Sequence, residues 1–247
     1  MKRFFITFAY DGSQFNGYQK QPKTRTVQGE LEKALKEINN NKKVEVHASG
    51  RTDAKVHALS QKAHFDMEID ITSESLKKAI NSLIPKDIYV KNVEEVSESF
   101  HARYNAKGKE YVYIINVGIY NPLERNYIYQ HNKRLDVAEI ERAMKYLEGT
   151  HNFKSFTKTD EEKEDYVRTL SQTNLIRDLK DVNKLTLVFV GTGFLRYMVR
   201  NIVGTLIEIG EGKIKSEEII HILEAKDRTK AGKTANPEGL YLRNVFY

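Results

Sequence analysis

The 247-residue sequence predicts an α+β fold of two halves, residues 1–104 and 105–247, each running β-α-β-β-α-β. Three observations carry the prediction. Apolar residues alternate over several short runs and recur every three or four residues over several longer ones. The two periods also succeed each other in the order of a split βαβ unit, which makes an antiparallel sheet with helices on one face.

Phe4, Ile6, Phe8 and Tyr10 share one face of a strand over 2–10, which Asp11-Gly12 ends. The loop from Asp11 to Gln21 is dense in glycine, amide and ring side chains, and suits either a long turn or a surface for a nucleotide chain. Val27, Leu31, Leu35 and Ile38 put a helix over 26–39, with Thr26 as its cap and Glu30 in its first turn. Strands over 43–48 and 61–67, a helix over 73–83 stopped before Pro85, and a strand over 87–96 complete the first half. In the second half, Tyr111, Tyr113, Ile115 and Val117 share one face of a strand over 110–117. A helix over 135–147 ends at Gly149, and strands over 168–177 and 185–192 are joined at 178–183. An apolar helix over 194–209 and a short one over 216–225 lead to a closing strand over 240–246. Two such sheets side by side leave a cleft between them, a common place for a site.

Composition narrows the chemistry. With no cysteine there is no disulfide, no thiolate nucleophile and no cysteine zinc site. The scattered histidines suggest no metal centre, and no cofactor signature is present. No apolar run reaches the 18 or so residues of a membrane span, and the first residues lack a cleavable leader pattern, so a cytoplasmic protein is expected. A net charge of +6 makes a polyanionic partner plausible. Its cations, Lys42-Lys43, Arg103 with Lys107 and Lys109, Lys133-Arg134, and Arg196 with Arg200, sit near rings or glycines, as suits a nucleic acid with unpaired bases. The acidic run from Asp160 to Asp165 reads as a solvated loop.

Chemistry concentrates at Ser49-Gly50-Arg51-Thr52-Asp53, which follows a strand and supplies a flexible backbone, a cation and a carboxylate. Read alone, such a stretch is more often an ordinary turn with Asp53 capping the backbone and Arg51 in solvent. Tyr111 or Tyr113 offers a ring on a strand face. Arg200 flanks the apolar stripe of its helix and needs either an anionic partner or a path to solvent. A carboxylate partner such as Asp53 would be held ionised by it.

These residues resemble the tRNA pseudouridine synthase A family. The resemblance spans Tyr10-Asp11-Gly12 to Gln19-Lys20-Gln21, Gly50-Arg51-Thr52-Asp53-Ala54 with Val56-His57-Ala58, and Phe100-His101-Ala102-Arg103. It continues through Lys109-Glu110-Tyr111-Val112-Tyr113, Phe194-Leu195 with Met198 to Gly204, and Gly239-Leu240-Tyr241-Leu242. It implies two ferredoxin-like, RNA-recognition-motif-like halves joined in a central antiparallel sheet with the catalytic cleft between them. It also implies a homodimer that binds tRNA, and isomerisation of uridine to pseudouridine at positions 38 to 40 of the anticodon stem-loop, without cofactor or metal. By the same resemblance Asp53, Tyr111 and Arg200 are the catalytic aspartate, active-site tyrosine and pairing arginine, and Arg51 faces the RNA. Tyr18, Gln19, Lys55, Arg103, Lys109 and Arg196 are the further RNA-binding candidates. Lys55 stands where the family usually has glycine, and Tyr18 where it usually has tryptophan. Two other readings are a paralogue acting on ribosomal RNA and a non-catalytic RNA-binding module; a metal-dependent nuclease would want clustered carboxylates around the loop, and they are absent from the sequence there.

Overall fold

The computed structural model describes residues 1–158 and 165–247. Of the acidic run, 160–164 lie outside the described residues and Asp165 is exposed. The chain divides into two compact units, residues 1–107 with 241–247, and residues 108–240. No helix among the described residues is long and apolar enough to cross a membrane.

The first unit contains β1 (Lys2–Tyr10), α1 (Val27–Ile38), β2 (His47–Ala48), β3 (His57–Met67), α2 (Ser73–Leu83) and β4 (Ile88–Val96). Its strands lie in the order β4-β1-β3-β2, each pair antiparallel. Phe4, Ile6 and Phe8 of β1 are fully buried, as are Leu31 and Leu35 of α1 and Leu76 and Ile80 of α2. Each such side chain contributes roughly 1.5–3 kcal/mol, so the alternation of β1 and the stripe of α1 hold sheet and helices together. Thr26 caps α1 through the Gly29 amide, at 3.3 Å.

The strand predicted over 43–48 pairs only at His47–Ala48. Val44 and Val46 are buried as the alternation requires, but helix side chains take the backbone groups a ladder would use. The Val46 amide donates to Glu32 Oε1 at 3.2 Å, and the Val46 carbonyl accepts from Gln28 Nε2 at 3.2 Å.

The second unit contains β5 (Gly108–Asn116), β6 (Tyr129–Gln130), α3 (Val137–Tyr146), β7 (Gly149–Asn152), β8 (Val167–Arg177), β9 (Lys184–Gly191), α4 (Met198–Gly210) and α5 (Glu218–Ala225). β5, β9, β8 and β7 form consecutive antiparallel pairs, and β6 lies parallel to β5. The helix predicted from Phe194 begins at Met198, because Tyr197 has φ of 61° and breaks the helical path. All of α4 except Arg200 and Glu208 is buried, so it packs on every side and not along one stripe. A Cβ on Gly204 would stand 1.6 Å from the Lys233 carbonyl oxygen, so only glycine lets that segment cross the helix. The closing strand, β10 (Leu240–Phe246), was expected with the second half. Its residues from Tyr241 onward group with the first unit, where Tyr241 and Leu242 pair in parallel with His57 and Ala58 of β3.

Candidate active site

The Asp53 loop joins β2 to β3 and is pinned along its length. Buried Gln61 takes the Ser49 hydroxyl on its Oε1 at 2.8 Å and donates Nε2 to the Gly50 carbonyl at 3.0 Å. The Tyr10 hydroxyl and Thr52 Oγ1 are 2.7 Å apart, and burial pushes the Tyr10 phenol up to about 12, so it stays a neutral hydrogen-bonding group. The loop after β1 supplies the other side: the Tyr18 amide donates to the Thr52 carbonyl at 3.1 Å and the Lys55 amide to the Phe15 carbonyl at 3.2 Å. The Gly12 amide donates to His57 Nδ1 at 3.0 Å, and the His57 ring stacks on Tyr241 with centroids 4.6 Å apart. A Cβ on Gly12 would lie 2.0 Å from the Val56 carbonyl oxygen, so the two loops touch backbone to backbone there. Within this frame the Val56 amide closes a turn on the Asp53 carbonyl at 3.2 Å, and Lys55 takes φ of 64°. Asp53 is half-buried and Arg51 and Lys55 are exposed. The result is a carboxylate on a rigid loop that still meets solvent.

The second unit holds the other catalytic candidates. Tyr111, on β5, is 8% exposed and meets Phe194 edge-on with centroids 4.9 Å apart. Tyr113 is fully buried and donates its hydroxyl to the Asn236 carbonyl at 2.7 Å, which makes it a structural residue and leaves Tyr111 as the ring at the margin. Arg200, at the start of α4, donates Nε to the Ala235 carbonyl at 2.8 Å while its carbonyl accepts the Ala235 amide at 3.0 Å. Its guanidinium lies over Tyr197, 4.9 Å from the ring centroid, and Arg196 lies over the same ring at 5.4 Å. The Ala235 carbonyl and the Tyr197 ring thus fix the position of the Arg200 guanidinium.

A family model described as tRNA pseudouridine synthase matches residues 6–105 and 143–247. The chain belongs to the tRNA pseudouridine synthase family. Proteins called tRNA pseudouridine synthase A from Geobacillus sp. (strain WCH70), Anoxybacillus flavithermus and Listeria monocytogenes are 46%, 47% and 45% identical to it. The alignments cover 100% of this chain and 98%, 99% and 100% of theirs. Among solved structures, the likeness to the archaeal box H/ACA sRNP Nop10-Cbf5 complex is slight, with a TM-score of 0.34 at 14% identity over 83% of this chain and 43% of that chain. A member of this family is an isomerase acting on tRNA.

Of the residues assigned to RNA contact in this synthase family member, Gln19, Arg51, Lys55, Arg103 and Arg196 are exposed and Lys109 is half-buried. Tyr18 is a correction. Its ring is 2% exposed and packs 6.5 Å from Phe8, so it is a core residue and presents no face to RNA. Sequence reasoning missed Tyr10, Gln61 and His57 as supports of the Asp53 loop. The signal for Gln61 and His57 was present: both are polar residues that fall at buried positions of a strand.

Proposed function

We propose that this chain converts uridine to pseudouridine at positions 38 to 40 of the tRNA anticodon stem-loop, in the cytoplasm, with Asp53, Tyr111 and Arg200 as its catalytic residues. In this reading each unit is a ferredoxin-like half, the halves share a central sheet with the catalytic cleft between them, and the enzyme works as a homodimer. The observation that carries the reading is the Asp53 loop: buried Gln61, Tyr10 and His57 and a second loop hold it, while Asp53 itself keeps access to solvent. A turn that only connected two strands would not draw on so many buried polar groups.

The reaction breaks the N1–C1′ bond, turns the uracil, joins C5 to C1′ and releases the C5 proton, while N1 takes up a proton. It is an isomerisation and consumes no electrons. Asp53 supplies the carboxylate, as nucleophile or as base at the sugar. Tyr111 supplies a ring face for the uracil as it turns, and Arg200 holds the carboxylate ionised. Arg51, Lys55, Gln19, Arg103, Lys109 and Arg196 contact the RNA.

Tritium release from C5-labelled uridine in unmodified tRNA tests this. Wild type is expected to release tritium with no cofactor added, and Asp53→Ala and Asp53→Asn to release none while still binding tRNA. Release by Asp53→Ala at the wild-type rate would remove Asp53 from the chemistry. Release from ribosomal RNA fragments but not from tRNA would replace the substrate.

A further inference from the structure

The second unit carries a shallow, open depression of about 430 Å³ lined by residues 117–120, 132–134 and Asn183. Its walls combine a half-exposed ring, Tyr120, the exposed aliphatic side chain of Ile119, two amides, Asn132 and Asn183, and two cations, Lys133 and Arg134. Among the described residues neither cation lies within ion-pair distance of a carboxylate, and the pocket lining contains no acid. The carboxylates of the adjoining turn are engaged within it: exposed Asp178 accepts the Lys180 and Asp181 amides, and Asp181 accepts the Asn183 amide and lies 3.7 Å from Lys184.

The pocket is built and not a chance dent. Asn116, 4% exposed, donates Nδ2 to the Ile119 carbonyl and to Gln130 Oε1, both at 2.8 Å, and accepts the Gly118 amide at 2.9 Å. The His131 and Asn132 amides both donate to the Asn116 carbonyl, and Asn132 adopts φ of 60°, so the backbone reverses just before the two cations. Gly118 packs directly on Asn183, where a Cβ would lie 2.8 Å from Asn183 Cγ. The frame is rigid, and among the described residues its two cations make no direct ion pair; Glu211 acts on Lys133 only at longer range, its own ion pair being with Lys213.

We propose that this pocket is a second tRNA contact, in which Lys133 and Arg134 bind backbone phosphates and Tyr120 stacks on an unpaired base. The inference rests on tRNA being the substrate. Its open shape suits a strand laid along the surface, and ring, amide and cation together match a nucleotide's base face, base edge and phosphate. The sequence places Lys133-Arg134 among the cations suited to a nucleic acid, but they lie outside the catalytic and RNA-contact residues that the family resemblance assigns. Their role is docking, not chemistry.

The test compares wild type, the double variant Lys133→Gln/Arg134→Gln, and Tyr120→Ala, all exposed positions, by binding to a full-length tRNA transcript between 50 and 200 mM salt, and by tritium release at saturating tRNA. Each lost phosphate contact lowers the slope of log affinity against log salt by about 0.7–0.9, so the double variant should lose about 1.4–1.8 from the slope. Over that salt range wild type then loses about 7- to 12-fold more affinity than the double variant. Tyr120→Ala should bind at least about fivefold more weakly with the slope unchanged, the signature of stacking without charge. Turnover at saturation should be unchanged in both. Equal affinity and slope in all three proteins would overturn the proposal. So would a change of sedimentation mass in Ile119→Asp with wild-type tRNA binding in the double variant, which would assign the face to self-association. A wild type that releases no tritium from tRNA refutes the functional reading separately, since the slope comparison needs binding and not turnover.

Discussion

Lys55→Gly tests the Asp53 turn through its backbone. Lys55 holds φ of 64°, in the left-handed region, with its side chain in solvent and its amide on the Phe15 carbonyl. A residue with a Cβ pays roughly 1–2 kcal/mol to stay there. Glycine removes that strain but adds about 0.5–1 kcal/mol of chain entropy in the unfolded state. The difference favours the glycine variant by roughly 0–1.5 kcal/mol, with a midpoint of about 0.75 kcal/mol. Lys55→Ala keeps the Cβ and the strain and should stay within about 0.5 kcal/mol of wild type, so the two variants separate backbone from side chain. Urea unfolding reads the effect as a higher midpoint at unchanged slope for glycine alone. A glycine variant less stable than the alanine variant would refute the strain argument. In the tritium assay both variants should keep their turnover at saturating tRNA. Both should bind tRNA more weakly, with a salt slope smaller by about 0.7–0.9 for one lost phosphate contact. Collapse of turnover at saturation would place the lysine in the chemistry.

Two further expectations concern the first unit. The Tyr18 hydroxyl is buried with no hydrogen-bond partner among the described residues, and burial holds its phenol well above the ordinary value. Tyr18→Phe should therefore raise stability by about 1 kcal/mol and leave tRNA affinity unchanged; weaker binding would return Tyr18 to the RNA surface. His64, 3% exposed, is pushed down to about 4 by burial and then by His101, His47 and Arg3. Its folded value lies below its unfolded one, so the fold favours the neutral ring. The stability this group contributes is full above about pH 6.5 and is lost as pH falls toward 4, by up to about 3 kcal/mol. His64→Asn keeps an acceptor for the Ala102 amide, which His64 Nδ1 takes at 3.1 Å, and should flatten urea midpoints measured between pH 4 and 7. An unchanged pH dependence would show that His64 is not the group that titrates.

Much of the fold is legible in local sequence because its causes are local. The alternation of Phe4, Ile6 and Phe8, the spacing of Val27, Leu31 and Leu35, and Thr26 before the helix each express a backbone period or a cap spanning a few residues. The Asp53 loop is legible too, as a glycine, a cation and a carboxylate after a strand, and the spaced motifs around it point to the family. The weak strand over 43–48 is a different case. Its alternation correctly buries Val44 and Val46, but whether their backbone ladders depends on Glu32 and Gln28 of α1, which no pattern within 43–48 contains.

The sequence by itself therefore determined the element types, the polarity of their faces, the chemical kind of the candidate site and the family. Tertiary structure alone decided which of two equivalent-looking rings is a structural bolt and which stands at the margin. Tyr111 and Tyr113 occupy the same face of β5 by alternation, and only the approach of Asn236, 123 residues from Tyr113, separates them. It also decided that Tyr18 is core, that Lys55 turns left-handed, and that Lys133 and Arg134 face a pocket without a carboxylate. The physical reason is common to all four: a residue's period is set by its neighbours in the chain, whereas its burial, its backbone strain and the pairing of its charge are set by groups that only folding brings within a few ångströms.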